Sequence, residues 1–214
     1  MIMILNSFLA CSSVHALSSM ARFKTRDAPN LISCISFQLY FVYRSLSLIY
    51  QSLYPTYYNP SIVSQDTIQN LNSLTGYFLY DSLYLFKTSS FSFYLLHHFL
   101  GISMIQLVKQ FDAPFSLLSQ YNLFCFIAEV TNPFINVRHF MRDTIYYPFA
   151  IKSIFGTYTI FRMILFPIMS KHIYDTMKLI NPSNASLLNY LFITVYIMST
   201  VWYFKIIRMY KKLK

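Results

Sequence analysis

The stretch SFYLLHHFLG, residues Ser92–Gly101, is almost entirely apolar but carries two adjacent histidines, His97 and His98. The leucine and phenylalanine side chains on either side predict that it lies in the hydrocarbon region of a membrane. An ionisable imidazole is costly in such a place and usually marks a pathway, a pocket or a reaction site. We therefore take the histidine pair as the first candidate site and ask what the rest of the chain places beside it.

The composition is typical of a helical membrane protein. Of the 214 residues, 56% are hydrophobic and 11% are charged, whereas soluble domains are typically about 25% charged. Apolar segments near the ~20 residues that cross a ~30 Å hydrocarbon core recur along the whole chain. We predict an all-α fold, a polytopic bundle of six to seven transmembrane helices that forms one domain over residues 1–214, with a basic cytosolic tail at 205–214. The segments are 2–20, 31–54, 68–86, 91–108, 114–136, 152–169 and 187–205.

The basic residues predict the orientation of the chain. Alternating backwards from a cytosolic C-terminus leaves only Lys109, Lys171 and Lys178 of the 17 Lys and Arg side chains in loops on the opposite side. This asymmetry is what the positive-inside rule expects. The formal charge of +10 fits an anionic membrane surface. It does not indicate nucleic-acid binding, because the basic residues form no single polar face.

Several classes of chemistry lack the residues they need. The three cysteines, Cys11, Cys34 and Cys125, lie in apolar runs without the spacing of a metal site or a disulfide framework. Three glycines in the whole chain are too few for a dinucleotide-binding or phosphate-cradling loop. We expect no cofactor and no metal ion.

Six ionisable side chains on five predicted spans fall at one depth, on the cytosolic side of the membrane midplane. A helical rise of ~1.5 Å per residue puts each of them about 9–15 Å from a residue at the cytosolic end of its span. We predict that they line a polar cavity in which carboxylates orient imidazoles. The open alternative is that they only join helices to one another. The six are His15, Asp81, His97, His98, Glu129 and Arg162.

Two further basic or polar features bear on this layer. Arg162 can hold Glu129 ionised or bind a carboxylate or phosphate, whereas Arg44 lies nearer the opposite face and can snorkel outward. Pro133 lacks the amide N–H that would bind a carbonyl one turn earlier, near Glu129. We expect a kink there that turns Glu129 inward and adds Asn132 to the cavity, with a kink that serves packing alone as the alternative.

Short motifs occur in a fixed order along the chain and together resemble those of the TLC-domain family, which includes the ceramide synthases and a set of smaller TLC-domain proteins. The last motif is similar to the Glu-x-Ser/Thr-x-Pro-Phe-x-Asn-x-Arg block of the smaller members, which the chain resembles more closely than it does the synthases. Arg162 with Pro167 and the basic tail agree with the same family. The motifs are SSVHAL (Ser12–Leu17), NPS (Asn59–Ser61), GYFLYD (Gly76–Asp81), LLHHFLG (Leu95–Gly101) and AEVTNPFINVRHF (Ala128–Phe140).

The resemblance implies a multi-pass protein of the endoplasmic reticulum or a related endomembrane that acts in membrane lipid homeostasis, with membrane lipids as its partners. It also implies a first span before His15 that is longer than the one present here, so we expect that span to be truncated or to begin upstream. The leading hypothesis is a protein that binds or modifies a lipid in the polar cavity.

Two alternatives stay open. In ceramide synthases the histidine pair is held to be catalytic in moving an acyl group from acyl-CoA to a sphingoid amine, a role that would fall on His97 and His98. Where the synthases have two aspartates in the following span, this chain has only Glu129. The first alternative is thus a ceramide-synthase-like N-acyltransferase with acyl-CoA as co-substrate, and the second is a non-catalytic membrane adaptor or cargo receptor.

Overall fold

The computed structural model describes residues 2–19, 28–54, 56–86, 91–110 and 114–213, and all regular structure in these ranges is helical. The predicted all-α class is confirmed. The helices group into two compact units, Met1–Asn122 and Leu123–Lys214, and each is described by itself. Five of the cations used to predict the orientation lie outside the described residues: Arg22, Lys24, Arg26, Lys87 and Lys214.

Unit 1 is built around one central helix. It contains α1 (Ile2–Ser19), α2 (Ala28–Leu53), α3 (Pro60–Phe86), α4 (Phe91–Lys109) and the first part of α5 (Phe115–Glu129). Helix α3 packs against α1, α2 and α4. Every residue from 70 to 78 of α3 is buried, so this helix has neighbours on all sides at that level.

Residues of the GYFLYD motif, together with the residue that follows it, contact three neighbouring helices from three faces of α3. Side chains four residues apart lie on the same face of a helix, and three such pairs point to three different helices. The pairs are Gly76 and Tyr80 toward α1, Tyr77 and Asp81 toward α2, and Phe78 and Ser82 toward α4.

Gly76 allows the backbones of α1 and α3 to come into contact. A Cβ atom at this position would lie 2.3 Å from the carbonyl oxygen of Ile4 and 3.0 Å from Cβ of Ser7. A side chain can rotate away from a clash, but a helical backbone carbonyl cannot. The close approach of α1 to α3 therefore requires glycine at position 76.

Unit 2 contains the remainder of α5, α6 (Asn132–Met141), α7 (Tyr147–Tyr158), a π-helical turn (Thr159–Leu165), α8 (Phe166–Ile180) and α9 (Pro182–Lys211). The stretch from α7 to α8 is one continuous helix. The core of unit 2 includes Phe124, Phe166 and Phe192. The ring centroid of Phe124 lies 4.7 Å from that of each of the other two.

The π-helical turn has an identifiable cause in Pro167. A proline ring inside a helix clashes with the carbonyl of the residue four positions earlier, and it offers that carbonyl no N–H. Here the carbonyl belongs to Met163, within the widened turn, and it accepts a hydrogen bond from the Tyr196 hydroxyl instead (3.4 Å). The wider turn relieves the clash, and α9 supplies the missing donor.

Pro133 ends a helix in the same unit. The predicted segment 114–136 is divided at Val130–Thr131, where α5 stops and α6 starts. Glu129, the last residue of α5, has 3% of its surface exposed. The proline therefore produces a break between two helices, and the carboxylate beside the break is buried.

The outward faces of the helices are apolar. On α2, large apolar side chains that are 49–70% exposed recur every three or four residues, while polar side chains occupy buried positions. Such an arrangement suits a helix whose solvent is lipid. The exposed residues are Leu39, Tyr43, Leu46, Tyr50 and Leu53, and the buried polar residues are Asn30, Ser33, Gln38 and Ser45.

Three helical segments among the described residues are long and apolar enough to cross a membrane: Ala28–Leu53, Tyr147–Ile180 and Pro182–Lys211. The second extends well beyond the predicted 152–169. Its C-terminal part carries the charged residues Lys171 and Asp175, so the sequence pattern alone did not indicate an apolar segment there. The predicted total of six to seven spans stays a prediction.

We predict opposite effects for the same substitution at two glycines. Gly76→Ala should lower the free energy of unfolding by about 1–3 kcal/mol, because the new methyl group meets the α1 backbone. Gly156→Ala is the matched control: a Cβ there would meet no heavy atom within 4 Å, and alanine favours the helix by up to about 1 kcal/mol. Thermal unfolding in detergent micelles measures both, and equal losses would contradict the α1–α3 contact.

Candidate functional site

A chain of polar contacts crosses four helices of unit 1, from His15 on α1 to His98 on α4. Nδ1 of His15 lies 2.7 Å from the Tyr80 hydroxyl, which donates to Oδ1 of Asn30 at 3.0 Å. Nδ2 of Asn30 donates to Oδ1 of Asp81 at 3.3 Å, and Nε2 of His98 lies 3.5 Å from Oδ2 of Asp81. We call these five residues the His15–His98 chain.

The Asp81 carboxylate sets the direction of each hydrogen bond in this chain. An ionised carboxylate only accepts, so the amide nitrogen of Asn30 must face Asp81 and its oxygen must face Tyr80. The Tyr80 hydroxyl then donates its hydrogen bond to Asn30, and the Tyr80 oxygen accepts one from Nδ1–H of His15. On the other side, the proton of His98 belongs on Nε2, toward Asp81.

Three side chains hold His98 in place: Asp81 at Nε2, Ser82 at Nδ1 and Phe78 against the ring. Its Nδ1 lies 3.2 Å from Oγ of Ser82, and the Phe78 ring stacks on the imidazole with centroids 5.0 Å apart. Gly101 makes room for that ring, since a Cβ there would lie 2.7 Å from Cε2 of Phe78. The side chain of His98 is 6% exposed, so its orientation is fixed by packing and by hydrogen bonds together.

The two histidines occupy different environments. Adjacent side chains point about 100° apart on a helix, and His98 is the one beside the Asp81 carboxylate. His97 is also buried, with 8% exposure. Its ring meets Phe78 edge-on at 6.1 Å and lies 5.7 Å from the ring of His98.

Unit 2 holds a second buried polar cluster, formed by Glu129, Asn132 and Arg162. Nδ2 of Asn132 donates to Oε2 of Glu129 at 2.5 Å. Nη2 of Arg162 donates to Oδ1 of Asn132 at 3.4 Å and lies 3.7 Å from Oε1 of Glu129. The guanidinium also lies 5.9 Å from the centre of the Tyr158 ring, close enough for a cation–π contact.

The predicted layer thus corresponds to two sets of contacts. The structure brings His15, Asp81 and His98 into one set within unit 1, and Glu129, Asn132 and Arg162 into another within unit 2. Among the residues that the structure describes, no three His, Cys, Asp or Glu side chains converge as a metal site.

A family model for the TLC domain, of the TRAM/LAG1/CLN8 group, matches residues 27–208. The chain belongs to the TLC-domain family. No curated protein and no solved structure matches this TLC-domain protein significantly. The matched range begins after α1, so His15 lies outside it although its side chain contacts Tyr80 within it.

Sequence reasoning missed several residues in and around the His15–His98 chain. Tyr80 and Asn30 carry the contact from His15 to Asp81, Ser82 contacts His98, and the Cys34 thiol lies 3.6 Å from Oδ1 of Asp81. Tyr80 could have been found from its place beside Asp81 in GYFLYD. Asn30 carried no comparable signal.

The structure also contains polar contacts away from these clusters. Ser45, Asn70 and Asn122 form a buried hydrogen-bonded group, with the Asn70 amide 3.0 Å from each partner. Arg44, which was expected to snorkel, lies 3.9 Å from Asp66, and both side chains are about one-third exposed.

We predict that the Asp81 carboxylate stabilises unit 1. Asp81→Leu should lower the free energy of unfolding by about 1–3 kcal/mol for each donor it leaves unpaired, on Asn30 and on His98. Asp81→Asn should lower the free energy of unfolding by less. If the His98 proton moves from Nε2 to Nδ1, Nε2 can accept a hydrogen bond from the new amide and Nδ1–H can donate to Ser82.

Asp175→Leu is the control, since this exposed carboxylate is paired with Lys171 on the same helix and such pairs contribute about 0–1 kcal/mol. Unfolding in detergent micelles measures all three variants. Similar losses at positions 81 and 175 would show that the Asp81 carboxylate has no special role.

Proposed function

We propose that this TLC-domain protein acts in membrane lipid homeostasis by binding or modifying a lipid at the His15–His98 chain. The observation that carries the proposal is a continuous run of buried and partly buried polar groups on helices whose outward faces are apolar. Ionisable groups in such helices are costly and mark functional sites by default. A lipid matches the setting, since it has an apolar body and one polar end.

The acceptors in the chain favour a particular kind of polar group. Asp81 only accepts hydrogen bonds, and with its proton on Nε2, His98 has an acceptor at Nδ1 that a ligand donor would take over from Ser82, whose Oγ lies 3.2 Å away. The phenyl and phenol rings of Phe37, Tyr77 and Phe78 pack around the same level of α3. We therefore propose a lipid with a donor at its polar end, either a hydroxyl or an amine.

A ceramide-synthase-like N-acyltransferase is the second candidate, favoured by the 3.5 Å separation of His98 and Asp81. A carboxylate in this position orients an imidazole and raises its basicity. In that reaction the amine attacks the acyl-CoA thioester carbon, Nδ1 of His98 takes the amine proton, and the CoA thiolate leaves and recovers a proton. Ser82 would have to release Nδ1 first.

We further propose six to seven spans, with the protein in the endoplasmic reticulum or a related endomembrane and its C-terminus in the cytosol. Helix α3 has 27 residues and so extends about 40 Å, and α4 has 19 and extends about 28 Å. Both lengths suit a ~30 Å core. The cations that end α9, Arg208 and Lys211, support the orientation.

Native mass spectrometry of the purified protein tests lipid binding. Wild-type protein should carry a co-purifying lipid, and Asp81→Asn should reduce its occupancy at least about tenfold, which corresponds to about 1.4 kcal/mol. Asp175→Asn removes an exposed carboxylate and should retain the lipid. No bound lipid in wild-type protein would contradict the proposal and favour the adaptor alternative.

The acyltransferase candidate has its own test. Purified protein given labelled acyl-CoA and a sphingoid base should form an N-acyl product, His98→Ala should abolish it, and His172→Ala, at an exposed histidine on α8, should not. Absence of product with both His97 and His98 intact would rule this candidate out.

A further inference from the structure

We infer that the Arg162 cluster of unit 2 binds the carbonyl oxygen of an acyl lipid, with the acyl chain joined through an ester or an amide. This inference rests on the proposed function, since it takes the ligand to be a lipid. It specifies the polar group that unit 2 binds, a carbonyl oxygen, which only accepts hydrogen bonds.

The guanidinium of Arg162 has donors to spare. It carries five N–H groups, and the side chain is 1% exposed. Nη2 faces Asn132 and Glu129, whereas Nε and Nη1 have no hydrogen-bond partner among the described residues. Buried donors left in this state cost about 1–3 kcal/mol each, and more on a charged group. A ligand that accepts from them would remove that cost.

Two hydroxyl groups in the same surroundings also lack a hydrogen-bond partner among the described residues: Oγ1 of Thr131 and Oγ of Ser199. Thr131 lies in the break between Glu129 and Asn132. The backbone carbonyl of Ser199 accepts from the Tyr158 hydroxyl at 3.1 Å, and the Tyr158 ring lies beside Arg162. Both hydroxyls thus belong to residues next to those that contact the guanidinium.

The charge balance favours a neutral acceptor over an anion. Glu129 already supplies one negative charge, and its 3.7 Å separation from Arg162 exceeds the about 2.7–2.9 Å of a direct charged hydrogen bond. A carboxylate or phosphate bound here would place a second negative charge beside Glu129 in a buried site, which is unfavourable. A carbonyl oxygen accepts hydrogen bonds and adds no net charge.

The rest of the surroundings is apolar, which favours an acyl group over water. Tyr158 packs with Ile154 and Ile206, and Ile135 and Met163 pack against them. Water is the alternative acceptor for these donors. An acyl chain with its carbonyl at one end supplies an acceptor and an apolar body that matches these residues.

The π-helical turn is part of the same site. Arg162 lies within Thr159–Leu165, the turn that Pro167 widens. Widened turns of this kind occur frequently at functional sites. Pro167 therefore determines the backbone conformation of the turn that carries Arg162, and so affects where the guanidinium lies.

The test compares lipids that differ only in the carbonyl. Purified protein in detergent micelles is given dioleoyl phosphatidylcholine, whose chains are ester-linked, and the dialkyl ether analogue with the same headgroup. N-oleoyl sphingosine supplies the amide linkage in a third arm, and oleate supplies an anion in a fourth. Native mass spectrometry measures the occupancy of each.

Wild-type protein should bind an ester- or amide-linked lipid at least about tenfold more strongly than the ether lipid, as expected for hydrogen bonds to a charged group. Arg162→Gln should reduce that ratio to about one, and Arg142→Gln, at an exposed arginine on the same unit, should leave it unchanged. The wild-type comparison needs no variant, so it holds even if Arg162→Gln does not fold.

The outcomes separate this inference from the proposed function. Equal binding of ester, amide and ether lipids would overturn the carbonyl site, as expected if water alone occupies it, and would leave lipid binding at the His15–His98 chain standing. Tighter binding of oleate than of the ester lipid would overturn it in favour of an anion site. Failure of wild-type protein to bind any lipid would overturn both proposals.

Discussion

A carboxylate that is only 14% exposed and can only accept hydrogen bonds is the constraint on which unit 1 depends. Asp81 receives contacts from α2 through Asn30 and from α4 through His98. Through Asn30 and Tyr80 its influence reaches His15 on α1. Four helices thus share one order of donors and acceptors, and a side chain of the wrong polarity at any step would leave a buried group unpaired.

The two polar clusters differ in what they leave available to a ligand. In unit 1 the order of hydrogen bonds makes Asp81 and Nδ1 of His98 acceptors, and Ser82 already lies within hydrogen-bond distance of Nδ1. In unit 2 the charge on Arg162 is balanced by Glu129, but its N–H groups exceed the acceptors around them. The two clusters thus have opposite hydrogen-bonding character, and each is matched by a different kind of polar group.

Composition alone was enough to predict a helical membrane protein, because soluble domains rarely combine so low a charge content with recurring apolar segments of membrane-spanning length. Helical rise predicted the depth of His15, Asp81 and His98, which one set of contacts now joins. Rise gives no information on the direction in which a side chain points. The two sets of contacts lie in different units, and the grouping of all six residues in one cavity stays a prediction.

Other features had a weak signal in the sequence or none. Tyr80 is one of 19 tyrosines, and in an apolar helix its ring looks like packing. Only its place beside Asp81 could have marked the hydroxyl that completes the contact between His15 and Asn30. Asn30 follows a basic, proline-containing segment that gave no reason to place it in a site. The π-helical turn around Arg162 was also missed, because apolar periodicity is evaluated at the 3.6 residues per turn of an α-helix. Its cause, Pro167, was visible in the sequence.

The π-helical turn before Pro167 affects how this chain compares with its relatives. A π-helical turn holds more residues than an α-helical turn of the same length along the axis. A TLC domain that winds this stretch as an unbroken α-helix would need fewer residues to place its counterparts of Tyr158 and Phe166 at the same separation. An alignment of the two chains would then require a gap within Thr159–Leu165, and an arginine displaced by one position could still occupy the place of Arg162 in space.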